Sequence, residues 1–179
     1  MAFVALSVGL IFSRAADAQT REPLQFGLGY QLLHVSFEGN GSSFPIGAYA
    51  DVGRTVKSDE TKIWGWMGQL EAARRNGDGF SEQLYSVLGG IRLTSARRLK
   101  WTPAGYGLIG VGILNASCKD FCAGTDAGVA FQGGVAVATR ISDIARAEIG
   151  FQATKLKTES GGLFNVAVTA GIRLPLGKH

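Results

Sequence analysis

The stretch Leu163-Phe164-Asn165-Val166-Ala167-Val168-Thr169-Ala170-Gly171-Ile172-Arg173-Leu174 alternates at period two. Phe164, Val166, Val168, Ala170, Ile172 and Leu174 make one apolar face, while Asn165, Thr169, Gly171 and Arg173 lie on the other. Successive side chains of a strand point to opposite faces, so this is one strand between two unlike environments. Its apolar face is unbroken over about the ten residues that a tilted strand needs to cross a bilayer. An arginine on the opposite face requires water or a partner. The pattern predicts the closing strand of a small membrane barrel, with lipid outside and a polar lumen inside.

Upstream, the same alternation recurs. Strands are predicted over residues 24–37, 44–56, 62–73, 82–94, 100–114, 127–139 and 144–156, which with the closing strand makes eight. In the first, the phase breaks at Leu32-Leu33, which predicts a bulge there. In the fifth, Ile109, Val111 and Ile113 alternate with Leu108, Gly110 and Gly112, so its facing is left open. Polar connections over 38–42, 74–81, 115–126 and 157–162 alternate with shorter turns. Short periplasmic turns and longer external loops are the habit of outer-membrane barrels. The fold class is therefore all-β, an eight-stranded antiparallel up-and-down transmembrane barrel.

The chain of 179 residues has room for one domain. Ala2 to Phe12 is apolar but shorter than a helical span, and Ala16-Asp17-Ala18 is a small-x-small site. Residues 1–18 are read as a signal peptide and 19–179 as the barrel domain. The net charge of +4 comes from scattered Lys and Arg with no basic stripe, so no nucleic-acid partner is expected.

Val87-Leu88-Gly89-Gly90-Ile91-Arg92, Thr102-Pro103 opening a glycine-rich strand, Phe131-Gln132-Gly133-Gly134-Val135 and Ala170-Gly171-Ile172-Arg173-Leu174 resemble the small outer-membrane β-barrel family related to the OmpA transmembrane domain. The resemblance covers most of the chain after residue 18. It implies a bacterial outer-membrane location, contact with membrane lipids and lipopolysaccharide, and insertion by the barrel-assembly machinery. Many such barrels end in an aromatic residue, whereas this chain ends Leu174-Pro175-Leu176-Gly177-Lys178-His179.

Asp51, Glu71 and Glu148 share the inward parity with Arg92, Arg146 and Arg173, and could meet them across the lumen. An eight-stranded lumen is only wide enough to be filled by side chains. A plug of ion pairs is therefore expected in preference to a pore. Cys118 and Cys122 fall in the longest predicted loop, and in an exported chain a disulfide is the default.

Gly105-Tyr106-Gly107-Leu108-Ile109-Gly110 matches the dinucleotide fingerprint in letters, but a strand follows it where the motif needs a helix. His34, Ser36 and Glu38 could belong to an esterase site only if a distant acid joined them, since neighbours on one strand cannot form a relay. No cofactor, metal or catalytic residue is expected. The function read from the sequence is a structural or surface-interaction barrel. The alternatives are a lipid A-modifying enzyme of the outer membrane, a small pore, or a soluble lipocalin-like carrier with the two faces reversed.

Overall fold

The alternating segments pair, each with its neighbour in sequence, into one closed antiparallel sheet. In the computed structural model, residues 24–37, 40–44, 46–77, 80–97, 100–118, 123–142, 144–159 and 161–176 are described. The strands are β1 (Leu24–Phe37), β2 (Asn40–Phe44), β3 (Ile46–Ser58), β4 (Lys62–Gly77), β5 (Phe80–Ser95), β6 (Trp101–Cys118), β7 (Ala123–Ser142), β8 (Ala145–Thr158) and β9 (Gly162–Leu176). β2 and β3 both pair with β1 and form the two halves of one stave, so the barrel has eight staves. β1 and β9 pair from Leu24–Leu176 to Ser36–Phe164, which closes the sheet and removes both edges.

Partners can be followed once round the barrel from Ile63 through Thr94, Ala104, Ala136, Gly150, Thr169 and Gln31, then past Gly47 to Ala73. That is a stagger of about ten residues, and stagger sets strand tilt and lumen width together.

Outward positions carry the apolar residues. Val135, Ile149 and Val168 are 62%, 59% and 54% exposed, and every stave contributes to the same band. Inward neighbours include Gln31, Gln132, Gln152, Arg92 and Arg173, all buried. An apolar surface running right round a molecule is untenable in water and favourable in lipid. The same polarity rules out a soluble carrier with an apolar interior. Trp64 and Trp66 near the start of β4, and Trp101 at the start of β6, are exposed toward the end that holds the termini of β1 and β9. Amphipathic rings favour that interfacial level.

Three expectations change. β1 has no bulge, because its pairing with β9 is continuous, with Leu32 outward and Leu33 inward. The irregularity lies on the facing stave. Between the Tyr30–Ala48 and Leu33–Phe44 pairs, β1 advances three residues while its partner advances four, across the β2–β3 break. Leu33 is apolar yet faces the lumen, and that is what mimicked a phase change.

The predicted polar loops are mostly strand. β4 and β5 pair out to Gly77–Phe80, and β6 and β7 out to Ser117–Ala123. Backbone ladders satisfy N–H and C=O groups whatever the side chain, so polarity alone did not end these strands. The Arg74 Nε donates to Asn76 Oδ1 at 2.9 Å, the Ser81 hydroxyl donates to the same oxygen at 3.0 Å, and Arg75 stacks over Phe80. Alternation in loop length becomes alternation in overhang: beyond the apolar band, Arg74, Asn76, Asn115, Ser117, Lys155 and Lys157 occupy outward positions.

Finally, β6 acquires a definite facing, with Ile109 and Val111 exposed and Leu108 buried. The fingerprint-like glycines lie within that strand. Residues 1–18, Cys122 and Glu38 lie outside the described residues, so the signal peptide and the Cys118–Cys122 disulfide do too.

Candidate functional site

The lumen is filled in three tiers, and the inward face of β8 displays all of them. Glu148, Gln152 and Leu156 follow at intervals of four along its inward face and are all buried.

The first tier, toward the terminus-side mouth, is ionic. Arg92 on β5 forks onto Glu148, with Nη1 donating to Oε1 at 3.2 Å and Nη2 bonded to Oε2. Arg173 on β9 meets Asp51 on β3, with Nη2 donating to Oδ2 at 2.9 Å and Nη1 lying 2.8 Å from Oδ1. Its Nε lies 3.4 Å from Glu148 Oε2, joining the two pairs into a chain of two arginines and two carboxylates. All four are buried. Fork-to-carboxylate geometry suits a desolvated lumen, where an unpaired charge would be costly.

Glycines make room for these lumen side chains. A Cβ on Gly27 would collide with the Asp51 carboxylate, which reaches over β1 to Arg173. A Cβ on Gly134 would collide with the Tyr106 ring. At both positions a side chain on one strand needs a bare backbone on the next.

The second tier is built on Glu71 of β4. Its Oε1 accepts from Gln69 Nε2 at 2.7 Å, Gln152 Nε2 at 2.6 Å and Gln132 Nε2 at 3.2 Å. Its Oε2 accepts from the Ser86 hydroxyl at 2.8 Å. Gln152 Nε2 also donates to Gln31 Oε1 at 3.1 Å, and Tyr106 donates its phenolic proton to Gln152 Oε1 at 2.9 Å. Side chains from β4, β5, β7 and β8 thus converge on one carboxylate, which is satisfied by neutral donors rather than a cation, and Gln31 of β1 and Tyr106 of β6 join the cluster through Gln152.

The third tier, toward the other mouth, is apolar. Leu33, Leu84, Leu156 and Leu163 pack with Ala73, Ala130 and Ala167, and Leu114 lies against them.

Of the six charged residues expected to share the lumen, the structure joins Asp51, Arg92, Glu148 and Arg173. Glu71 stands apart in the glutamine tier. Arg146 has the inward parity but is exposed at the mouth, beyond the ionic tier. The glutamines were legible as inward residues, one or more on each of four strands, but their convergence depends on register. The leucine tier departs from the expectation of a lumen plugged by polar and charged side chains. Its signal was apolar residues on the inward parity, Leu33 and Leu163 among them, near the loop-side strand ends.

His34 is exposed on the outward face of β1. Among the described residues, no group of three or more His, Cys, Asp or Glu could hold a metal ion.

No protein-family model matches the chain, and no curated protein matches its sequence. Solved structures do match. Neisserial surface protein A (NspA) superposes with a TM-score of 0.69 at 8% identity, over 86% of this chain and 97% of that one. Ail, the attachment invasion locus protein of Yersinia pestis, gives 0.53 at 17% identity, over 86% and 99%. The outer membrane protease OmpT of Escherichia coli gives 0.51 at 8% identity, over 92% and 100%. The fold is that of outer-membrane β-barrels.

Proposed function

We propose that this chain is an integral outer-membrane barrel with a structural or surface-interaction role and a lumen closed to solutes. The observation that carries this reading is the continuous fill, from the Arg92–Glu148–Arg173–Asp51 chain through the Glu71 cluster to the leucines. A lumen holding all three tiers leaves no continuous water column. The apolar band meets lipid, and Arg74, Lys155 and Lys157 at the overhanging strand ends stand where phosphate groups of lipopolysaccharide would lie. Export through the segment 1–18 and insertion by the barrel-assembly machinery complete this reading.

NspA and Ail share the fold, and both are named for the cell surface or attachment. OmpT shares it and is a protease, so the fold does not decide between binding and catalysis. What favours a non-enzymatic role is His34, which faces outward from β1, away from the lumen acids.

Planar-bilayer recording of the purified chain tests the closed lumen. Near-silence is expected. Large, steady single-channel currents would replace the plug with a pore.

A further inference from the structure

We propose that the glutamine tier binds one monovalent alkali cation, held by the Glu71 carboxylate with the amide oxygens of Gln69 and Gln132. This goes beyond the closed-lumen reading and does not depend on it.

The charges inside the lumen do not balance. Asp51, Glu148, Arg92 and Arg173 form a chain of two acids and two bases that is neutral as a unit. On the far side of the leucine tier, Arg75 and Glu82 approach each other at 3.9 Å. Glu71 lies between these two groups, and its contacts with Gln69, Gln132, Gln152 and Ser86 are all to neutral donors. Hydrogen bonds of that kind stabilise a carboxylate but do not cancel its charge, and a lone charge taken out of water is costly.

The oxygens do not balance either. Glu71 Oε1 takes three N–H donors, one more than it has lone pairs, and the longest of the three comes from Gln132 at 3.2 Å. Gln69 Oε1, Gln132 Oε1 and the Thr154 hydroxyl oxygen, by contrast, are buried without a hydrogen-bond partner among the described residues. Gln69, Gln132 and Thr154 are 3%, 4% and 3% exposed. Buried polar atoms of this kind call for an explanation. The two amide oxygens belong to the same amide groups that donate to Glu71, so each lies one amide width from its carboxylate. Thr154 on β8 is the ladder partner of Gln132 on β7.

A single positive charge at Glu71 corrects both imbalances. A half-turn of the Gln132 amide exchanges its nitrogen and its oxygen. That turn gives up the longest bond on Oε1 and brings a second oxygen to the carboxylate. Thr154, on the adjacent strand, offers its hydroxyl oxygen to the displaced N–H. Water would add donors to the tier but no charge. One carboxylate with neutral amide oxygens matches a hard, singly charged ion, whereas calcium draws on more oxygens and more negative charge than these side chains supply.

The full chain is refolded into nanodiscs of zwitterionic lipid in sodium, potassium or N-methylglucamine chloride at matched ionic strength. Refolding in each salt spares the ion from having to cross the plug. The side-chain amide resonances of Gln69 and Gln132 and the melting temperature are followed. Sodium or potassium should move both resonances saturably from their positions in N-methylglucamine, a cation too large for this lumen. The melting temperature should rise with the concentration of that ion, as it does for any ligand of the folded state alone. Glu71→Gln keeps the shape and removes the charge, and should weaken the apparent Kd by about tenfold or more. Gln132→Met keeps the length and removes the amide oxygen, and should weaken it too. Lys157→Gln, on the outward face, should not. Should Glu71→Gln fail to fold, Gln132→Met carries the same test.

Identical resonances and melting temperatures in all three salts would mean that the tier holds only water, and would overturn the proposal. So would a wild-type response to sodium and potassium in Glu71→Gln or Gln132→Met. Acidification in N-methylglucamine separates an ion from a proton: if acid alone moves the two resonances and the alkali ions do not, Glu71 carries a proton instead. Single-channel currents would overturn the closed lumen but leave these readouts as they are.

Discussion

Asp51 on β3 and Arg173 on β9 bond at 2.9 Å across the strand that lies between them, over the bare backbone of Gly27. The pair exists because β1 gives up a side chain at that point. Gly27→Ala should push the Asp51 carboxylate off Arg173 and cost about 1–3 kcal/mol, the range for leaving a buried polar group unsatisfied. In an Asp51→Ala background the same substitution should be nearly neutral. Equal costs in both backgrounds, measured by urea unfolding in vesicles, would show that Gly27 serves something other than this pair.

The Arg92–Glu148 fork should behave as a coupled unit. Removing one member leaves the other buried without a matched partner, a loss of about 3–5 kcal/mol. Arg92→Ala combined with Glu148→Ala should cost clearly less than the sum of the single variants, because the desolvation penalty leaves with both charges. Arg173 would then retain Asp51. Additive losses in the double-mutant cycle would mean that the two residues stabilise the barrel independently.

Facing can be read from adjacent residues. Val168 is 54% exposed and Thr169 is 6% exposed. Val168→Arg places a guanidinium in the apolar band and should cost about 2–4 kcal/mol. Thr169→Arg instead crowds the lumen beside Gly150, whose missing Cβ would lie 2.8 Å from the Thr169 hydroxyl. The first loss should vary with bilayer thickness, since it is a lipid-exposure cost, and the second should not. Matching responses to thickness would reverse the assigned faces.

The leucine tier should act as the barrel's apolar lid. Leu156 is 1% exposed, so Leu156→Ala should cost about 2–5 kcal/mol, as buried leucine truncations do. In bilayer recordings it should also add brief, small openings to an otherwise silent trace. Glu71→Ala, which strips the acceptor from the glutamine tier, should do so to a greater extent when combined with Leu156→Ala. If the double variant is as silent as the wild type, closure is provided by the ionic tier alone.

Period-two alternation was sufficient to determine that the chain forms strands, that eight of them make the barrel wall and, outside β6, which residues meet lipid. Those properties follow from the direction of each side chain along its own strand, which is local information. Val166, Val168 and Ile172 face outward for the same reason that Asn165 and Thr169 face inward. Strand ends were less legible, because the polar residues from Arg74 to Gly77 and from Asn115 to Cys118 sit on ladders that continue past the apolar band.

What tertiary structure alone decided is which inward residues meet. Asp51 and Arg173 are 122 residues apart, and Glu71 and Gln152 are 81 apart. Their encounters depend on register and stagger summed over every intervening strand. A shift of one stave would dissolve both clusters while leaving every alternation pattern intact. The same summation leaves Arg146 facing two arginines at the mouth, a juxtaposition that no single strand encodes.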